Sequence, residues 1–197
     1  MQARLNRTNQ YVHDYDNFVA RLGDEIAQAR NTARRQNLQL AVRPNMLSDQ
    51  PKLAWDLARR LPDVQFYDYT KLKTVLTVGQ PSNYHLTFSA SEKSSPQFCA
   101  DLLRGKIANV AIVFNVARGD ALPYTHTLDG EVFPVIDGDL HDLRFLDPPG
   151  VIVGLRFKGG ARAQTLATNG GFIRLTQVQD FLVSSTAESA LSTLCRA

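Results

Sequence analysis

Four apolar segments rich in β-branched and aromatic residues recur at near-regular intervals, over residues 38–42, 64–70, 84–89 and 110–114, with helical patterns between several of them. This alternation constrains the fold more than any other feature. A parallel strand pair needs a long crossover, whereas an antiparallel pair needs only a turn. The chain is therefore expected to be α/β, with a mainly parallel sheet of strand-helix units in a partial barrel or open sheet. An all-β sandwich is disfavoured. A length of 197 residues suits one core, so a single domain is expected over residues 1–197, with strand-helix units over 14–115 and a hairpin-rich portion over 116–197.

The helices are marked by periodicity and by caps. Phe18, Leu22, Ile26, Ala29 and Ala33 trace one helical face across residues 14–36. Asp14 and Asp16 at its start and Arg30, Arg34 and Arg35 at its end complement the helix dipole, which explains that basic cluster without a ligand. Ser48, Asp49 and Pro51 read as the opening of a second helix carrying Leu53, Leu57 and Leu61, and Ser95 with Pro96 opens a third carrying Phe98, Cys99, Leu102 and Leu103. The crossover over residues 71–83 is short and aperiodic, which predicts a loop or one helical turn.

Beyond Asn115 no further helix is expected until the C-terminus. Residues 144–147 and 151–157 flank Pro148-Pro149-Gly150 and look like a hairpin, and Asn169-Gly170-Gly171 looks like another turn between strands. Ser185 and Glu188 form a capping box for a last helix with Ala187, Leu191 and Leu194.

Hydrophobic residues at 44% and charged residues at 21% give the balance of a folded globular chain, which sets disorder aside. No apolar run is long enough to span a bilayer and the first residues lack a secretory apolar core, so a cytoplasmic protein with no membrane partner is expected. Cys99 and Cys195 have neither CxxC spacing nor a nearby histidine, against a structural zinc or a disulfide framework. The net charge of +3 decides little about nucleic acid.

Ligands of parallel sheets bind beyond the carboxyl ends of the strands, where loops converge. Arg43, Asn45, Ser48 and Asp49 follow the first strand, Asp68, Thr70 and Lys71 end the second, Ser89, Ser91 and Glu92 follow the third, and Asn115 and Arg118 follow the fourth. Arg43, Asn45, Lys71, Glu92 and Arg144 are the candidate ligand-binding residues. Asp68, flanked by tyrosines in an apolar strand, needs a partner and is a candidate catalytic carboxylate. The densest polar run is Asp137-Gly138-Asp139-Leu140-His141-Asp142-Leu143-Arg144. There Asp137 and Asp139 could hold a divalent metal, with His141 and Asp142 as acid-base groups; an ordinary turn with an Asp-Arg pair is the competing reading. Lys158-Gly159-Gly160-Ala161-Arg162 could wrap a phosphate but lacks P-loop spacing, and a hairpin tip competes.

The segments Val64-Gln65-Phe66-Tyr67-Asp68-Tyr69-Thr70-Lys71, Asn83-Tyr84-His85-Leu86-Thr87-Phe88-Ser89, Val135-Ile136-Asp137-Gly138-Asp139 and His141-Asp142-Leu143-Arg144-Phe145 resemble an uncharacterised family carried by phages, plasmids and other mobile elements. The resemblance runs from about Arg4 to Lys158 and supplies a setting, not a mechanism. It implies a shortened member: relatives carry a further cysteine-containing segment, and their loop after the first strand reads closer to RLNGTSD than to Arg43-Pro44-Asn45-Met46-Leu47-Ser48-Asp49.

Three functions follow as expectations. The first is a non-catalytic accessory protein of a phage or plasmid that binds a host or phage protein or a nucleoprotein complex, to counter defence or regulate the element. The second is a metal- or acid-base-dependent enzyme acting on a phosphorylated or nucleic-acid substrate through Asp68, Asp137, Asp139, His141 and Asp142, with Arg43, Lys71 and Arg144 neutralising phosphate. The third is a DNA- or RNA-binding module using Arg34, Arg35, Arg59 and Arg60.

Overall fold

A computed structural model describes residues 2–176. The helices are α1 (Gln2–His13), α2 (Tyr15–Arg35), α3 (Pro51–Arg60), α4 (Pro96–Arg104) and α5 (Ala161–Asn169). The strands are β1 (Ala41–Val42), β2 (Gln65–Thr70), β3 (Tyr84–Ser89), β4 (Asn109–Phe114), β5 (Thr125–Leu128), β6 (Glu131–Asp137), β7 (Ile152–Arg156) and β8 (Ile173–Arg174). The sheet order is β1-β2-β3-β4-β7-β6-β5, with β8 beside β4. β1-β2, β3-β4, β4-β7, β6-β7 and β4-β8 are parallel, and β5-β6 is the antiparallel hairpin. The α/β architecture with a mainly parallel open sheet is the one expected. No described helix is long and apolar enough to cross a membrane.

The described residues form two compact units, one of residues 2–68 with Thr77–His85 and one of Tyr69–Leu76 with residues 86–176. In the first, α3 buries Leu53, Ala54, Leu57 and Ala58, a stripe at helical spacing in which each leucine contributes about 2 kcal/mol. Helix α2 buries Val19, Gly23 and Ile26, a face turned slightly from the one anticipated, so that Ala29 lies exposed. The basic ends of these helices meet carboxylates: Arg30 and Arg34 share Asp63 at 2.8 and 2.6 Å, Arg59 lies 3.7 Å from Asp56, and Arg60 lies 3.4 Å from Asp24. Asn83 shares its side-chain amide among the carbonyls of Ala58, Leu61 and Val64 at 2.9–3.0 Å, satisfying acceptors at the end of α3 and in the turn that follows it.

In the second unit the core is Phe88, Val110, Ile112, Phe114, Ile152 and Leu103, all 3% exposed or less. Strand β4 is buried along nearly its whole length, as expected of a strand flanked on both edges and covered on both faces. The Ser95 hydroxyl accepts from the Phe98 N–H at 3.2 Å and caps α4, with Pro96 in the first turn. Ser95→Ala is expected to lower stability by about 1 kcal/mol, read as a reduced urea midpoint at unchanged slope.

Several local expectations are corrected. Strand β1 is only Ala41–Val42, and Leu38 is 58% exposed. Helix α1 was not anticipated, because its polar sequence shows no apolar face. The cap of α3 is Gln50 rather than Ser48 or Asp49. The segment 144–157 is no hairpin: Arg144–Leu146 form a 3-10 turn and β7 lies parallel between β4 and β6. The physical reason is Asn109, whose side chain accepts from the Gly150 and Val151 N–H groups at 2.9 and 3.1 Å and donates to the Pro148 carbonyl at 2.9 Å. That side chain ties the Pro148-Pro149-Gly150 turn to β4, while Gly150 supplies the φ of 81° the turn needs. Lys158-Gly159-Gly160 leads into α5 instead of forming a hairpin tip, and Gly170 closes that helix before β8. The crossover helical turn expected over 71–83 is the 3-10 segment Lys73–Thr77. The anticipated last helix with Ser185 and Glu188, and Cys195, lie outside the described residues.

Candidate functional site

The two units each gather part of the candidate set. In the first, Asp68 on β2 is 1% exposed and accepts three hydrogen bonds. Its Oδ1 takes the Asn45 N–H at 2.9 Å, and its Oδ2 takes the Asn45 side-chain amide at 3.0 Å and the Tyr84 hydroxyl at 3.1 Å. Asn45 in turn accepts from the Ser48 hydroxyl at 2.8 Å and the Gln50 N–H at 3.1 Å. The result is a loop, residues 43–50, whose base is tied by buried polar bonds while Met46 and Leu47 stand 71% and 91% exposed. Burial pushes the Asp68 carboxyl up to about 6, against the donors of Asn45 and Tyr84 and the charge of Arg43. Burial and the neighbouring Asp68 push the Tyr84 phenol up as well. Ser48 thus serves the turn, and Asp68 is a structural hub closed off from solvent.

In the second unit, Asp137 ends β6 and Arg156 ends β7, neighbouring parallel strands. Arg156 grips both oxygens of Asp137 at 2.9 Å, reaches Asp139 at 3.1 Å, and donates to the Asp120 carbonyl at 2.7 and 2.9 Å. Lys158 lies 3.0 Å from the other Asp139 oxygen. The Arg156 bonds hold the Asp137 carboxyl below its ordinary range. Burial pushes Asp139 up, but Lys158 and Arg156 outweigh it and the net direction is down. Both are therefore ionised near neutral pH, suited to accepting hydrogen bonds and not to delivering protons. These residues open onto a cleft of about 730 Å³ that also takes in Arg118 and Phe157.

Three other candidates cluster beside this cleft in sequence but make a different set of bonds. Arg144 is fully buried, donates to the His141 carbonyl and, at 3.1 Å, to its Nδ1, and lies 3.4 Å from Asp147, itself 2% exposed. His141 is half exposed, with Nε2 4.0 Å from Asp147. Burial pushes the Asp147 carboxyl up against the charges of Arg144 and His141. Asp142 accepts from the Tyr69 hydroxyl at 3.4 Å. Lys71 lies 5.8 Å from the Phe172 ring centre, and Glu92 is exposed.

The structure thus unites Asn45 with Asp68, Asp137 with Asp139, and His141 with Arg144. Asp68 belongs to the first unit and the Asp137 to Arg144 run to the second. Among the described residues no group of three or more His, Cys, Asp or Glu side chains is placed to hold a metal ion. Sequence reasoning missed Arg156, Lys158 and Asp147 as partners. A signal for the first two was present: Asp137 and Asp139, like Arg156 and Lys158, stand two positions apart at the ends of strand segments, which puts each pair on one face.

A family model described as Gene product 88 matches residues 1–171. No curated protein and no solved structure matches the chain.

Proposed function

This chain belongs to the gene product 88 family, a phage-type family, and from that premise we propose that it is a non-catalytic accessory protein whose 43–50 loop docks on a host protein or nucleoprotein complex. The observation that carries the reading is the contrast within that loop. Its base spends a buried carboxylate and a buried asparagine on rigidity, and its tip presents Met46 and Leu47 to solvent. Holding two apolar side chains in water lowers neither solubility cost nor internal energy, whereas a preorganised apolar tip reduces the ordering cost of binding. Methionine adapts its shape to an apolar pocket on a partner. The enzyme reading is less well supported, because Asp68 is enclosed and Asp137 and Asp139 are neutralised by cations. The nucleic-acid reading loses its motive where Arg34, Arg59 and Arg60 face carboxylates.

Leu47→Asp is the direct test. The variant is expected to keep the wild-type melting temperature within a degree or two, since Leu47 touches solvent, and to lose the host proteins that the wild type retains from lysate. A retained set identical for wild type, Leu47→Asp and Met46→Asp would refute the docking loop.

A further inference from the structure

We infer that the cleft at the carboxyl ends of β6 and β7 binds a nucleoside phosphate, a role separate from that of the 43–50 loop. Its volume of about 730 Å³ falls within the range of small-molecule pockets. Its position, outside the ends of parallel strands, is where such sheets hold ligands.

The charges divide into a fixed and an exchangeable part. Arg156 is committed, with five donor contacts to Asp137, Asp139 and the Asp120 carbonyl, and is only 13% exposed in its side chain. It fixes the wall and is not spare for a ligand. Lys158 meets Asp139 while its side chain is 79% exposed, so it can turn to a phosphate with little loss. Arg118, on the loop after β4, lines the cleft and makes no hydrogen bond or ion pair among the described residues. A guanidinium and an ammonium on one cleft match a terminal phosphate, the first by its paired donors and the second as a point charge.

The remaining lining argues for more than a bare anion. Asp137 and Asp139 keep acceptor capacity beyond the bonds of Arg156 and Lys158, and a carboxylate pair repels an isolated phosphate but accepts from ribose hydroxyls or a base amino group. Phe157 and Leu140, the latter 78% exposed, supply an aromatic ring and an apolar side chain for the flat face of a base. A Cβ at Gly159 would lie 2.5 Å from two Phe157 ring carbons, so the ring rests directly on that glycine and is held at the cleft.

The test is calorimetric titration of the full chain with each of the four nucleoside 5′-diphosphates, with adenosine and with inorganic phosphate. At least one diphosphate is expected to bind more tightly than adenosine or phosphate alone. Arg118→Ala should weaken it about ten-fold or more at unchanged melting temperature, the loss of one charge-assisted contact. Failure of all four diphosphates to bind at millimolar concentration would overturn the inference. So would phosphate binding as tightly as any diphosphate, or equal affinity in Arg118→Ala. Because Leu47 is not among the residues lining the cleft, the outcome of Leu47→Asp and this one are read independently.

Discussion

Asp68→Ala is expected to cost about 3 kcal/mol, because it strands the Asn45 N–H, the Asn45 side-chain amide and the Tyr84 hydroxyl without their acceptor. For a chain of this size that is a fall in melting temperature of roughly 10 °C. The pH dependence identifies the group responsible. The folded carboxyl sits at about 6 against an ordinary 3.8, so between those values the folded chain binds more protons than the unfolded one. Stability contributed by Asp68 is therefore greatest at low pH, falls as pH rises from about 4 to 6, and is level above that; the difference corresponds to about 3 kcal/mol. Asp63, Asp137 and Asp139, held below their ordinary range, act in the opposite direction. Subtracting the stability profile of Asp68→Asn from that of the wild type isolates the Asp68 contribution. A flat difference between pH 4 and 6 would show that Asp68 is not enclosed as described.

The second large effect is expected at Arg144, the largest fully buried side chain among the described residues. Arg144→Ala leaves Asp147, 2% exposed, without its cation at 3.4 Å and should cost about 3–5 kcal/mol. Replacing both partners, Arg144→Met with Asp147→Leu, should recover much of that loss, because no charge then remains buried. Denaturant melts of the single and double variants decide it: a single variant within about 1 kcal/mol of wild type, the whole contribution of an exposed pair, would contradict the buried arrangement.

What could be read from the sequence divides along a physical line. Strands β2, β3 and β4 and helices α3 and α4 were legible, because apolar period and local caps such as Ser95 and Pro96 suffice to define them. Helix α1 was missed for want of an apolar face, whereas the misread turns trace to tertiary bonds from distant residues. Pro148-Pro149-Gly150 has hairpin chemistry locally, and only Asn109 on a central strand turns it into a crossover to parallel β7. Ser48 and Asp49 have cap chemistry locally, and the Asn45 to Asp68 bonds recruit the loop instead. Asp68 reads from the sequence as a carboxylate in need of a partner; Asn45 and Tyr84 supply its bonds, and Arg43 adds its charge. Asp137 and Asp139 were legible as a polar constellation. Their partner Arg156 lies at the end of what reads as an ordinary strand, where its spacing from Lys158 was the one signal available.

The parallel pairing of β4 with β7 also bears on how the chain emerges from the ribosome. Val110 to Phe114 pair with Ile152 to Arg156, so one edge of the most apolar strand stays open while about 40 further residues are made, several seconds at ordinary elongation rates. The β5-β6 hairpin closes locally in that interval, but it cannot cover β4. Nascent chains halted before residue 152 would therefore lack the strand that covers this edge of β4, leaving an open edge of the kind that invites association.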